Sequence, residues 1–254
     1  MDGRVRVEQE DGCAWVTLDR PPLNLLEPGI IRGLRDAFVE LAREPGVRVA
    51  VITGAGRAMT AGMQIQVLRD LDPTSAKALI SGLHEAIRAV HEAPFATIAM
   101  INGACLGAGF ELAMACDLRV ATTTAVLGLP EICVGIPSVI EAALLPALVG
   151  PGRAAELLLV GAPVTGAQAL EWGLVNRAVA PETLVPTTRQ LAASILEFAP
   201  SAVRLQKELI IRWRNTDLRT AIDSGIHAFA QSYTTGEPRE ALSAYLEKRK
   251  PRFV

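Results

Sequence analysis

The chain has few aromatic side chains, no excess of either charge and no paired cysteine motif. Its 254 residues include three Trp, two Tyr and six Phe, and its formal net charge is −2. With so little positive charge and so few stacking rings, we expect no nucleic-acid partner. The cysteines are Cys13, Cys105, Cys116 and Cys133, and no two of them have C-x-x-C spacing. We therefore expect no metal site and largely buried, reduced thiols.

Long hydrophobic segments are also missing. The apolar runs are far shorter than the roughly 20 residues that span a bilayer, so we expect no membrane association. Residues 1–6 contain no apolar targeting segment, which predicts a cytoplasmic protein. Hydrophobic residues nevertheless make up 50% of the chain, enough for a large core within one domain of ordinary to large size.

Short apolar segments alternate with amphipathic ones through the first two hundred residues. The pattern predicts strands at 49–53, 96–101 and 118–122 and helices at 30–42 and 74–91. After residue 182 only helices are predicted. This order is typical of an α/β fold with buried parallel strands. We predict a core over residues 1–199 and a helical C-terminal region over residues 200–254.

Two glycine-rich loops, 54–64 and 103–109, each follow a predicted strand. Glycine allows sharp turns and close approach of a ligand to backbone amides. One amide from each loop would make an oxyanion hole for an oxygen that gains negative charge. The alternative is that these glycines serve tight turning alone. Neither loop has the spacing of a dinucleotide or triphosphate site, so those ligands are disfavoured.

Two glutamates, Glu111 and Glu131, lie in apolar, glycine-rich surroundings. Burial of a carboxyl group without a partner raises its pKa, and a pair of such acids suits general acid/base catalysis near neutral pH. Two plainer interpretations stay open. Glu111 is also explained as an acid favoured by the dipole of a helix start, and Glu131 as a solvated loop residue.

An ordered set of segments along nearly the whole chain resembles the crotonase family, the enoyl-CoA hydratase/isomerase superfamily. The matching segments are 20–24, 52–56, 61–63, 102–117, 129–131, 145–150 and 247–251. The resemblance implies a spiral of ββα units with a helical C-terminal region that packs in a homotrimer or homohexamer. It also implies an acyl-CoA thioester as the ligand, with coenzyme A as part of the substrate and no separate cofactor.

The resemblance assigns roles to individual residues. By motif, the backbone N–H groups of Met63 and Ala108 form the oxyanion hole, and Glu111 and Glu131 are the catalytic acids. The substrate-binding positions are Leu25, Ala61, Gly62, Gly107 and Lys248, the last reaching the phosphates of coenzyme A. Because both acids are present, the reaction expected is reversible hydration of a 2-enoyl-CoA to a 3-hydroxyacyl-CoA. The alternatives are a Δ3,Δ2-enoyl-CoA isomerase, another crotonase-type enzyme, and a non-catalytic acyl-CoA-binding subunit.

The chain also departs from the family pattern near the expected acyl pocket. Gln64 replaces an acidic residue, and Ala108 stands where glycine is commoner. Residues 138–143 replace a glycine-rich helix start and include an extra acid, Glu141. We hypothesise that Glu141 lines the pocket or meets a neighbouring subunit.

Overall fold

The computed structural model describes residues 4–253. The strands are β1 (Arg4–Glu10), β2 (Cys13–Asp19), β3 (Val49–Gly54), β4 (Ala58–Thr60), β5 (Ala96–Ile101), β6 (Ala104–Leu106), β7 (Leu118–Thr122), β8 (Val126–Gly128), β9 (Val164–Thr165) and β10 (Arg177–Val179). The helices are α1 (Pro28–Leu41), α2 (Ile65–Arg69), α3 (Pro73–His91), α4 (Ala108–Ala115), α5 (Leu145–Val160), α6 (Gly166–Glu171), α7 (Leu184–Leu196), α8 (Pro200–Trp213), α9 (Leu218–Ser232) and α10 (Glu237–Leu246). Short 3-10 helices cover Pro130–Val134, Ile140–Leu144 and Pro181–Thr183.

The strands of residues 4–253 form two sheets that share a repeating unit. The larger sheet has the order β1-β2-β3-β5-β7-β10 and the smaller one β4-β6-β8-β9. Each of β3, β5 and β7 is followed by a short strand of the smaller sheet, and then by helical structure. The chain therefore winds through both sheets once per unit, which is the predicted spiral of ββα units.

Hydrophobic strands explain why the larger sheet lies inside. Every residue of β3 and β5 is buried, as expected for parallel strands covered on both faces. The apolar face of α1 packs on this sheet through Ile31, Leu34 and Phe38. Helix α3 begins at a capping box formed by Asp72 and Ser75. The strands predicted at 49–53, 96–101 and 118–122 and the two predicted helices are thereby confirmed.

The segment after Glu131 departs in part from the sequence pattern, which predicts one helix over residues 138–149 and a second over residues 152–160. The chain forms the 3-10 helix Ile140–Leu144 and then α5, so the first predicted helix begins later and with a 3-10 segment. Helix α5 is interrupted at Gly150, whose φ of 78° is non-helical, and Pro151 follows. By length and composition alone, Ile140–Val160 is apolar enough to cross a membrane, although these two breaks interrupt it. The absence of membrane association therefore stays a prediction.

Residues 184–246 form the helices α7 to α10 and no strand, as predicted. Helix α8 begins at Pro200 and is tied to the sheet by Lys207, whose Nζ lies 2.9 Å from Oδ2 of Asp117. The division into units 1–199 and 200–254 remains a prediction. One cysteine differs from expectation, because Cys133 is exposed while Cys13, Cys105 and Cys116 are buried.

Candidate active site

A cavity of about 260 Å³ opens where the two glycine loops meet the chain after β8. Its walls combine loop residues with apolar side chains from α2 and α3. The lining residues are Ala61, Gly62, Met63, Ile65, Leu68, Ile80, Leu83, Gly107, Ala108, Glu111, Pro130, Glu131, Cys133, Val134, Ile136, Pro137, Ser138 and Val139. The structure therefore brings both predicted glutamates and both predicted oxyanion positions to one cavity.

Two backbone N–H groups at this cavity are free to bind a ligand. Within residues 4–253, the amides of Met63 and Ala108 donate to no protein acceptor. Ala108 is the first residue of α4, where N–H groups have no partner inside the helix. Ala108 is buried and Met63 is half-buried. Backbone N–H groups away from water are nearly always paired, so two unpaired ones beside a cavity indicate a binding site for an oxygen.

Glycines at two positions bring these amides together. Gly62 has a φ of 87°, and a Cβ there would lie 2.8 Å from the Leu106 carbonyl oxygen and 3.7 Å from the Ala108 nitrogen. Gly107 has a φ of 55°, and a Cβ there would lie 2.6 Å from Oε1 of Glu131. Both positions need glycine, because the backbone has a positive φ and because a Cβ would meet a neighbouring atom. The glycines that turn the chain are therefore also those that bring the two amides to the cavity.

Glu111 lies at the inner wall of the cavity and is 2% exposed. Its Oε1 accepts a hydrogen bond of 2.9 Å from the N–H of Ala142. Burial raises the pKa of Glu111 to about 7, the N–H of Ala142 opposes the shift, and the charges of Glu131 and Glu141 add to it. A carboxyl group with this pKa exchanges protons readily near neutral pH.

Glu131 is half-buried on the 3-10 helix Pro130–Val134 rather than in a plain loop. Its Oε2 accepts a hydrogen bond of 2.7 Å from the hydroxyl of Ser138. Its Oε1 lies close to the backbone of Gly107, in the loop that carries the Ala108 amide. The two acids thus approach the cavity from different elements, one on α4 and one after β8.

The remaining substrate-binding predictions fall in two places. Leu25 belongs to a loop joined to the first glycine loop, because Leu26 N–H donates to the Gly62 carbonyl and Ala61 N–H to the Leu23 carbonyl. Leu25 itself lines a neighbouring surface cavity of about 430 Å³. Lys248 follows α10, is exposed, and is not among the residues that line the cavity of Glu111.

Glu141 is not among the cavity-lining residues either. It is 9% exposed and its Oε1 lies 2.7 Å from Nδ1 of His84 on α3. The hypothesis that it lines the pocket is wrong, because its side chain turns toward α3 instead. Within residues 4–253 no group of three or more His, Cys, Asp or Glu residues is arranged to hold a metal ion.

Three contacts of the glutamates were not predicted from the sequence. They are those of Ser138 with Glu131, Ala142 with Glu111, and His84 with Glu141. Ala142 acts through its backbone, which no side-chain pattern reveals. The contacts of Ser138 and His84 depend on where residues 138–144 fold. The one available signal was the departure of this segment from the family pattern next to Glu131.

Comparison with known proteins finds relatives along nearly the whole chain. A relative named crotonyl-CoA hydratase, from Syntrophomonas wolfei, is 34% identical over 98% of this chain and 96% of its own length. A relative named short-chain-enoyl-CoA hydratase, from Clostridium acetobutylicum, is 32% identical over 97% of this chain and 95% of its own length.

Solved structures agree on the fold. An enoyl-CoA hydratase from Bacillus anthracis superposes with a TM-score of 0.94 at 30% identity, covering 98% of both chains. One from Mycobacterium smegmatis superposes with a TM-score of 0.95, also at 30% identity and covering 98% of both chains. The family model described as Enoyl-CoA hydratase/isomerase matches residues 8–254. This chain therefore belongs to the enoyl-CoA hydratase/isomerase family of the crotonase superfamily.

Proposed function

We propose that this protein is an enoyl-CoA hydratase that adds water reversibly to a 2-enoyl-CoA and yields a 3-hydroxyacyl-CoA. The observation that carries the proposal is the pairing of Glu111 and Glu131 at one cavity beside two unpaired amides. The names of the relatives from Syntrophomonas wolfei and Clostridium acetobutylicum support the same reaction.

The amides of Met63 and Ala108 receive the thioester oxygen. As hydroxide adds to C3, negative charge moves onto that oxygen, and both N–H groups stabilise the enolate-like transition state. Loss of one such donor typically costs about 3–4 kcal/mol of activation free energy. The thioester itself takes up the electron pair, so the reaction needs no metal or redox cofactor.

The two glutamates move the protons. Glu111 deprotonates the water that attacks C3, and Glu131 delivers a proton to C2. The pKa of Glu111, about 7, suits a base that must accept and then release a proton at neutral pH. The proton left on Glu111 returns to Glu131 through the next water molecule, which restores the pair for another turnover.

Other features of the proposal concern the ligand and the assembly. Leu25, Ala61, Gly62 and Gly107 contact the thioester and the nearby part of coenzyme A. Lys248 contacts its phosphates. The chain assembles as a homotrimer or homohexamer, in which exposed apolar side chains of the C-terminal helices are covered.

A spectroscopic assay tests the reaction. Purified protein is mixed with crotonyl-CoA in ¹⁸O-labelled water, and loss of the conjugated-thioester absorbance is followed while label incorporation is measured by mass spectrometry. We expect labelled 3-hydroxybutyryl-CoA. Glu111→Gln and Glu131→Gln should each lose activity by orders of magnitude while still binding acyl-CoA.

The same assay separates the alternatives. A double-bond shift in a 3-enoyl-CoA without label uptake, and no hydration, would identify an isomerase. Tight acyl-CoA binding with no turnover would identify a binding subunit. Full activity in either glutamine variant would remove that residue from the mechanism.

A further inference from the structure

Glu141 is a buried carboxyl group to which the proposed reaction gives no task. It lies in the 3-10 helix Ile140–Leu144 and is 9% exposed. Its Oε1 contacts Nδ1 of His84, whereas its Oε2 is buried without a hydrogen-bond partner within residues 4–253. A carboxyl group kept in this setting costs stability, so support of the fold alone does not account for it.

The next residue in the chain holds a catalytic acid. The N–H of Ala142 donates to Oε1 of Glu111 at 2.9 Å. The 3-10 helix that contains Glu141 and Ala142 packs against α3 on one side and α4 on the other. The His84 contact therefore ties this helix to α3, and the Ala142 contact ties it to Glu111 on α4.

We propose that Glu141, held by His84, is a positioning residue for Glu111. The contact with His84 fixes the turn at residues 140–144, and the fixed turn aims the Ala142 N–H at the Glu111 carboxylate. The inference rests on the proposed hydratase function, because the orientation of Glu111 matters to catalysis only if Glu111 reacts. Small errors in the placement of a reacting group lower the rate strongly even when the change lies outside the site.

Electrostatic interactions also connect Glu141 with both His84 and Glu111. The titratable groups that act on it are His84 and His91 of α3, and it acts in turn on Glu111 of α4. Burial raises the pKa of Glu141, and His84 opposes the shift. A negative Glu141 raises the pKa of Glu111, whereas the Ala142 N–H lowers it. A neutral residue that kept the His84 contact would remove the influence of the Glu141 charge on the pKa of Glu111 and leave the Ala142 hydrogen bond in place.

Three variants of the contact and one control test this proposal. Glu141→Met keeps the length of the side chain but removes the contact with His84. Glu141→Gln keeps an oxygen that accepts from His84. His84→Asn keeps a donor in the place of Nδ1. The control is Glu85→Gln, on the exposed neighbour of His84 in the same helix.

We expect Glu141→Met to lower kcat for crotonyl-CoA by roughly 10- to 100-fold with little change in KM, because the acid is misplaced while the cavity is intact. Its melting temperature should equal or exceed that of the unaltered protein, since a half-unsatisfied buried carboxyl group is removed. Glu141→Gln, His84→Asn and Glu85→Gln should keep kcat near the unaltered value. In Glu141→Gln the acid limb of the kcat/KM profile should move to lower pH.

Hydrogen exchange at the Ala142 amide provides a measurement that needs no turnover. Exchange should become faster in Glu141→Met and stay slow in Glu141→Gln. If Ala142 exchange is the same in Glu141→Met, or if kcat falls only as far as the folded fraction falls, the positioning role is overturned. If exchange behaves as expected but the unaltered protein does not hydrate crotonyl-CoA, the hydratase function fails while the contact remains a positioning device for Glu111.

Discussion

Glu111 combines a carboxyl group that is almost completely buried with a backbone donor, the N–H of Ala142, that stabilises its charge. Burial outweighs that donor, and its pKa rises to about 7. As the base in the proposed reaction, Glu111 must be ionised, so kcat/KM should fall as pH falls below about 7. A plot of log kcat/KM for crotonyl-CoA against pH should show this fall as an acid limb.

The pH limb also identifies which acid is the base. Glu131→Gln should keep this limb on its residual activity because Glu111 is still present, but the limb should move to lower pH because the Glu131 charge that raises the pKa of Glu111 is gone. A residual activity that rises as pH falls through 7 would instead make Glu111 the proton donor and reverse the two roles.

Ser138 has a smaller effect that can be measured separately. Its hydroxyl donates to Oε2 of Glu131 at 2.7 Å, and both residues are half-buried. Ser138→Ala should lower kcat by roughly fivefold, since a hydrogen bond that orients a side chain contributes about 1 kcal/mol. Ser194→Ala, which removes an exposed hydroxyl bonded within α7, is the control. Equal rates in the two variants would show that Ser138 does not orient Glu131.

The acids were identifiable from sequence, and their partners were not. A glutamate followed by Leu112, Ala113 and Met114 on a glycine-rich loop predicts burial, and the structure confirms it for all of α4. The contacts of Ser138 and Ala142 with the acids arise from tertiary folding across 7 and 31 residues of chain. Helical or strand periodicity carries no information about such contacts.

The short elements of the fold were missed for a related reason. Strands β4, β6 and β8 have three residues each and α2 has five, lengths at which hydrophobic periodicity cannot be distinguished from chance. Long segments such as β5 and α3 were predicted well. Strands β4 and β6 matter because they lie within the two glycine loops and end just before the residues that present the Met63 and Ala108 amides.

The loop between β6 and α4 supports a prediction about backbone conformation. An alanine at Gly107 would take a left-handed φ and place its Cβ 2.6 Å from Oε1 of Glu131. An alanine at Gly150 would take a similar φ with no atom within 4 Å. Each variant should lose about 1–2 kcal/mol of stability from the φ angle alone. Only Gly107→Ala should also displace Glu131 and lower kcat, by at least tenfold.

Urea unfolding and crotonyl-CoA kinetics on both variants separate the two effects. Comparable losses of unfolding free energy with activity lost only in Gly107→Ala would support close approach as the reason for glycine there. Loss of activity in both variants would mean that backbone strain anywhere in the chain disturbs the site.

The molecule as a whole exposes more apolar surface on its C-terminal helices than a monomer needs. Leu218, Ile222, Ile226, Phe229 and Tyr233 are between 54% and 76% exposed. Their spacing of three and four residues puts them on one side of α9 and its C-cap. A continuous apolar stripe of this kind is typical of an interface. The sequence pattern predicted these helices, but exposure of their apolar side appears only in the folded chain.

This stripe leads to a test of the proposed assembly. Light scattering after size-exclusion chromatography should give three or six times the 27.0 kDa chain mass. The ring centroids of Phe229 and Tyr233 lie 5.4 Å apart in the stripe. Phe229→Glu places a charge there and should shift the protein to smaller species. Gln231→Glu adds the same charge on the other side of α9 and should leave the mass unchanged. A monomeric unaltered protein, or an unchanged mass in Phe229→Glu, would show that α9 is not the surface through which the copies assemble.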